Sequence, residues 1–73
     1  MYREGFPSKL KQARFNAGFS QQEVEDFTKI PRANLSRYEN GKLEPNIETL
    51  GILADFYDVS VDWLLSTKGG KRT

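Results

Sequence analysis

Residues 20–41 read SQQEVEDFTKIPRANLSRYENG, from Ser20 to Gly41, and their punctuation predicts two short helices joined by a tight turn. Ser20-Gln21-Gln22-Glu23 is a capping box, in which the Ser20 hydroxyl accepts from the Glu23 amide and the Glu23 carboxylate reaches back. The helix it opens is expected from Gln21 to about Thr28, with Val24 and Thr28 inward and Phe19 stapled against Val24. Pro31 pushes Ile30 out of the α region, which sets the turn at Lys29-Ile30. A second helix is expected over about Pro31 to Glu39, stopped by Asn40-Gly41. Leu35, Tyr38 and Glu39 share one face of it. Arg32, Ala33, Ser36, Arg37 and Asn40 share the opposite face.

The flanks extend the same pattern. Upstream, a helix is predicted from about Phe6 to Ala17, with Pro7 in its first turn and Phe6, Leu10, Ala13 and Ala17 at helical spacing. Gly18 supplies a left-handed stop. Downstream, Asn46 caps a helix whose stripe is Ile47, Leu50, Leu53, Ala54 and Tyr57. Ser60 caps a last short helix holding Val61, Trp63, Leu64 and Leu65. The predicted class is therefore all-α: one five-helix domain over residues 1–66, followed by a flexible basic tail over 67–73.

Composition narrows what such a domain can do. A chain of 73 residues has room for one small core, and it has neither Cys nor His. Disulfides and the usual zinc ligands are thereby excluded, so helix packing must hold the fold; five Phe, three Tyr and one Trp are available for it. No apolar run approaches the roughly 20 residues of a membrane span. Met1 to Gly5 opens no signal-peptide core, and a cytoplasmic protein is expected. Catalysis has no foothold. Ser36 is a hydroxyl without a base, and no Gly-rich phosphate loop points to a cofactor.

The net charge of +1 conceals a segregation. Residues 1–42 hold eight bases and five acids, residues 43–67 hold five acids and no base, and Lys68, Lys71 and Arg72 follow. Such a split suits one face turned to a polyanion and another turned away, although ordinary solvated surface explains charge alone equally well.

The paired helices give that charge a use. The second helix of such a unit enters the major groove of double-stranded DNA, and it must be apolar on one side and small, polar and cationic on the other. Arg32, Ala33, Ser36 and Arg37 meet that demand toward bases: Arg bonds guanine bidentately, and Ala offers a methyl to thymine. Free amides beside Ser20 and Gln21 form a phosphate site at the start of the first helix of the pair. Asn40, Gly41 and Lys42 are expected to grip a second phosphate through backbone amides and one ammonium.

The strings Gly18 to Val24, Leu35 to Lys42, Pro45 to Leu50 and Val59 to Leu65 resemble the Cro/CI-type (XRE, lambda-repressor-like) helix-turn-helix family, in order and in spacing. The resemblance implies a compact five-helix lambda-repressor-like fold, operator binding, and a twofold homodimer near the last helix, where Val61, Trp63 and Leu64 stand. Carried over by position, it puts Gln21, Asn40 and Lys42 on phosphates and Arg32, Ala33, Ser36 and Arg37 on bases. It pairs Arg14 with Glu39 in a semi-buried salt bridge. The chain departs from the family at Glu25, where a small residue is usual, and at Lys29, where Gly is frequent. Glu25 is expected to swing outward, and Lys29 to strain a left-handed turn by roughly 1 kcal/mol.

Some alternatives stay open at this level. Trp63, Leu64 and Leu65 serve either the core or a dimer; Phe15, Phe27 and Phe56 are either incidental surface or a patch for another subunit. A transcriptional repressor reading a palindromic operator is the leading expectation. The alternative is an antitoxin that binds a toxin and regulates its own operon, so a toxin or effector is a possible protein partner. No metal and no membrane is expected among the partners.

Overall fold

In the computed structural model, which describes residues 5–66, five helices follow one another: α1 (Phe6–Ala17), α2 (Gln21–Thr28), α3 (Arg32–Glu39), α4 (Ile47–Tyr57) and α5 (Val61–Leu65). No strand occurs among the described residues, and the basic tail expected over 67–73 lies outside them. Three helices begin at side-chain caps. Ser20 Oγ accepts the Glu23 amide at 3.1 Å while the Ser20 amide donates to Glu23 Oε1 at 2.8 Å. Asn46 Oδ1 accepts from Thr49, and Ser60 Oγ from Trp63. Gly18 closes α1 in the left-handed region at φ 85°, a conformation that costs glycine little.

Three expectations need correction. Pro31 flanks α3 rather than opening it: its ψ of 134° is extended, and its carbonyl accepts the amides of Asn34 and Leu35. Ile47 is 85% exposed, because it holds the first helical position, where the Cα–Cβ bond leans toward the open N-terminal end. Ala17 is exposed as well, in the last turn before the chain leaves α1 through Gly18.

The core is one cluster. Phe6, Leu10 and Ala13 of α1 meet Val24, Ile30, Leu35 and Tyr38, then Leu50, Leu53, Ala54 and Tyr57 of α4 and Leu64 of α5. α3 packs on α1 and α2, and α5 on α1 and α4. Phe19 is partly buried against this cluster. Its ring lies 4.8 Å from Phe56 and 5.9 Å from Phe27, joining α2 to α4 through an aromatic cluster with Phe27 at its exposed edge.

An ion pair crosses this core. Arg14 Nε donates to Glu39 Oε2 at 2.8 Å, Nη2 donates to Oε1 at 2.9 Å, and Nη1 donates to the Phe19 carbonyl at 3.0 Å. The side chains are 8% and 2% exposed, so the pair is buried rather than half-buried as expected. Its hydrogen bonds to Glu39 hold the Arg14 pKa above the usual value, against the opposing effect of burial. Burial then decides the energetics. A surface pair is worth at most about 1 kcal/mol, whereas loss of one buried partner strands the other charge and costs about 3–5 kcal/mol. Arg14→Met and Glu39→Gln should each destabilise the chain on that scale. The double variant should recover part of the loss, with a coupling above about 1.5 kcal/mol in denaturant unfolding. Additive losses would show that the two residues contribute independently.

Candidate nucleic-acid interface

Buried Leu35, Tyr38 and Glu39 fix the rotation of α3 about its own axis, and the opposite row is turned out. Arg32, Ala33, Arg37 and Asn40 are exposed, as is Lys42 just beyond the helix. Ser36 is half-buried, and its Oγ accepts from Asn40 Nδ2 at 3.3 Å. The guanidinium groups of Arg32 and Arg37 and the ammonium of Lys42 have no hydrogen-bond or ion-pair partner among the described residues. Three cations are thus left for an external anion.

The helix ends differ in what they offer that anion. At the start of α2, the capping box occupies the amides of Ser20 and Glu23 and leaves those of Gln21 and Gln22 without an acceptor among the described residues. The Gln21 side chain turns inward, where its Nε2 donates to Glu39 Oε1 at 3.2 Å. After α3 the expected backbone grip on phosphate does not form. The amides of Asn40, Gly41 and Lys42 donate to the carbonyls of Ser36, Tyr38 and Arg37, closing the helix, with Gly41 left-handed at φ 74°. What remains there is the Asn40 amide side chain and the Lys42 ammonium.

A row of outward-turned side chains thus stands on a helix joined to its predecessor by a three-residue connection. The helix-turn-helix family matches residues 10–64. The chain belongs to the Cro/CI-type helix-turn-helix family. It is 43% identical over 60 residues to the SPbeta prophage-derived uncharacterized HTH-type transcriptional regulator YonR of Bacillus subtilis (strain 168), covering 82% of this chain and 56% of that protein. It is 42% identical over 57 residues to the HTH-type transcriptional regulator ImmR of the same organism, covering 78% and 45%. A third relative is the HTH-type transcriptional activator BcrR of Enterococcus faecalis, 34% identical over 61 residues, covering 84% and 30%. The chain spans about half the length of the first two.

Within this helix-turn-helix frame the two departures take definite form. Lys29 closes α2 in the left-handed region at φ 69°, as expected of a residue standing where the family often has Gly. Glu25 does not swing away. It is half-buried, and its Oε1 accepts the Arg32 amide at 3.2 Å across the turn. Thr28 braces the same turn: its hydroxyl donates to the Val24 carbonyl and accepts from the Ile30 amide. The Thr28–Val24 bond follows the helical spacing of four, whereas the bonds to the Ile30 and Arg32 amides have no periodic signature.

The helix expected to pair two copies divides as well. Leu64 is fully buried within this chain and belongs to its core, which leaves Val61 and Trp63, both half-buried, with surface to offer. Among the expected surface aromatics, Phe15 is 60% exposed beneath the Arg14 guanidinium, and Phe56 is drawn into the cluster with Phe19. Lys9, counted above only as a charge, is buried. Its Nζ donates to the carbonyls of Trp63 and Ser66 at 3.1 and 2.9 Å and lies 5.3 Å from the Trp63 ring centroid. A cation at a helix C-terminus satisfies carbonyls that the helix cannot. Lys9→Met keeps most of the stem and strands those carbonyls, so unfolding should be easier by about 1–3 kcal/mol. Emission from Trp63, the sole Trp, should shift to the red as α5 loosens. An unchanged emission and midpoint would show that α5 is held by apolar packing alone.

Proposed function

We propose that this chain is a sequence-specific double-stranded DNA-binding domain of a transcriptional regulator that acts as a repressor, with α3 in the major groove. The observation that carries the proposal is a set of cations without a partner among the described residues, Arg32, Arg37 and Lys42, on and just after the exposed row of a helix whose other side is locked into the core. Arg32, Ala33, Ser36 and Arg37 are assigned to base edges. Ser20 and Gln21 at the start of α2, with Asn40 and Lys42 after α3, are assigned to phosphate. The relatives support regulation of transcription, and the name of one of them, an activator, makes the direction of control a point for a reporter assay. No described helix is long and apolar enough to cross a membrane, in keeping with a protein that meets DNA in the cytoplasm.

Selection from a random duplex pool gives the site on which the assignments can be tested. Arg37→Ala should cost about 1–3 kcal/mol on that site and change binding to random duplex much less. Lys42→Ala should weaken binding to every duplex alike and flatten the salt dependence by about one phosphate. Equal losses on all sequences from both substitutions would remove α3 as the reading element.

One helix of eight residues reaches few bases, so useful specificity calls for a second copy. The homodimer proposed here meets through Val61 and Trp63 and reads a palindromic operator with half-sites roughly 34–36 Å apart. The selected site should be an inverted repeat bound by two chains, in mass measurements of the complex. A single chain on a non-palindromic optimum would sink the dimer.

A further inference from the structure

Glu25 is used twice at the turn between α2 and α3. Its carbonyl accepts the Lys29 amide at 2.8 Å, closing α2, and its carboxylate accepts the Arg32 amide at 3.2 Å, capping α3 from seven residues upstream. Pro31, the residue placed to cap α3, makes no side-chain cap. Free amides at a helix start attract anions, phosphate among them. At the start of α3 an anion of the chain itself already stands at the first amide, beside an exposed Arg32. The start of α2 is different, since the amides of Gln21 and Gln22 have no acceptor among the described residues.

We infer that Glu25 is a specificity-determining positioning residue for the reading of DNA. It fixes the first turn of α3 and keeps phosphate off that helix start. The two helix starts are thereby divided, with α2 open to the DNA backbone and α3 reserved for bases. Indiscriminate binding is weakened more than binding to the preferred site. This inference rests on the DNA-binding proposal above.

The test measures wild type, Glu25→Gln and Glu25→Ala on the duplex selected by the wild-type chain and on random duplex. A salt series and a denaturation curve accompany each protein. Glu25→Gln keeps an acceptor for the Arg32 amide and removes the charge. Random duplex should then bind more tightly, the preference for the selected site should shrink, and the salt slope should steepen by about 0.9, the value of one added phosphate contact. Glu25→Ala removes the cap as well, and discrimination should fall by roughly tenfold, the scale of one capping hydrogen bond. Altered stability with wild-type discrimination and wild-type salt slope in both variants would overturn the inference and leave the DNA-binding proposal standing. A wild-type chain with no preferred duplex would overturn both.

Discussion

The bidentate contact between Arg14 and Glu39 sets where α3 sits, and most of the exposed surface described above takes its orientation from it. Glu39 is the last residue of α3, and Arg14 lies in the last turn of α1. The guanidinium also holds the Phe19 carbonyl, and the carboxylate also accepts from Gln21, so one cluster ties together α1, the link to α2, the start of α2 and the end of α3. Burying two charges costs several kcal/mol per ion before their attraction is counted, and apolar replacements often match such a pair in stability. Geometry is what apolar packing would not supply. A guanidinium fork accepts a carboxylate in one plane and at one distance, and it thereby resists rotation of α3. Tyr57 borders the same charges. Burial, then the Glu39 carboxylate, push its phenol upward in pKa, with Arg14 pulling partly back, and its hydroxyl finds no partner among the described residues. It serves as apolar bulk.

Two of the cations in the basic half are thus removed from the surface, since Lys9 and Arg14 point inward. The charge map drawn from the chain alone treated all eight alike. With those two removed, the described cations that lack a partner gather at α3 and just after it, while Glu44, Glu48, Asp55, Asp58 and Asp62 are all exposed along the later helices and loops. The positive charge at α3 therefore stands out through the withdrawal of Lys9 and Arg14 into the interior as much as through the placement of surface cations.

What could be read in advance was local. The caps at Ser20, Asn46 and Ser60 each span three residues, and the stop at Gly18 needs only a glycine after a periodic stripe, so chain order contains them. The burial of Leu35, Tyr38 and Glu39 followed from helical angles. The ion pair was reached through family resemblance, and its depth was underestimated, because exposure depends on α2 and α4 closing around it. Contacts across long separations left no trace in periodicity: Lys9 reaches residues 54 and 57 positions away, and Phe19 meets Phe56. Glu25 was misjudged for a different reason. A size argument treated its side chain as an obstacle, whereas a carboxylate beside an unsatisfied amide is a hydrogen bond. For Leu64 a period cannot distinguish a core position from a contact between subunits, and its full burial within one chain assigns it to the core.

α1 is the bar on which both α3 and α5, the helices proposed to read DNA and to pair two chains, are mounted. Arg14 fixes α3 to it, and Lys9, five positions earlier and so about 7.5 Å along the axis, fixes the end of α5 to it. The proposed dimer reads two half-sites, and the separation of its two recognition helices is then set by how rigidly α3 and α5 are joined within each chain. A direct contact between those helices is unnecessary for that rigidity, since each has a charged anchor and apolar packing on the same helix. An error of a few degrees at either anchor would be doubled by the twofold axis and carried to the groove. Directional, charge-assisted bonds tolerate such tilting less than apolar contacts, which are non-directional. That difference gives a physical reason for a core of this size to carry a buried lysine and a buried arginine where leucine would pack more simply.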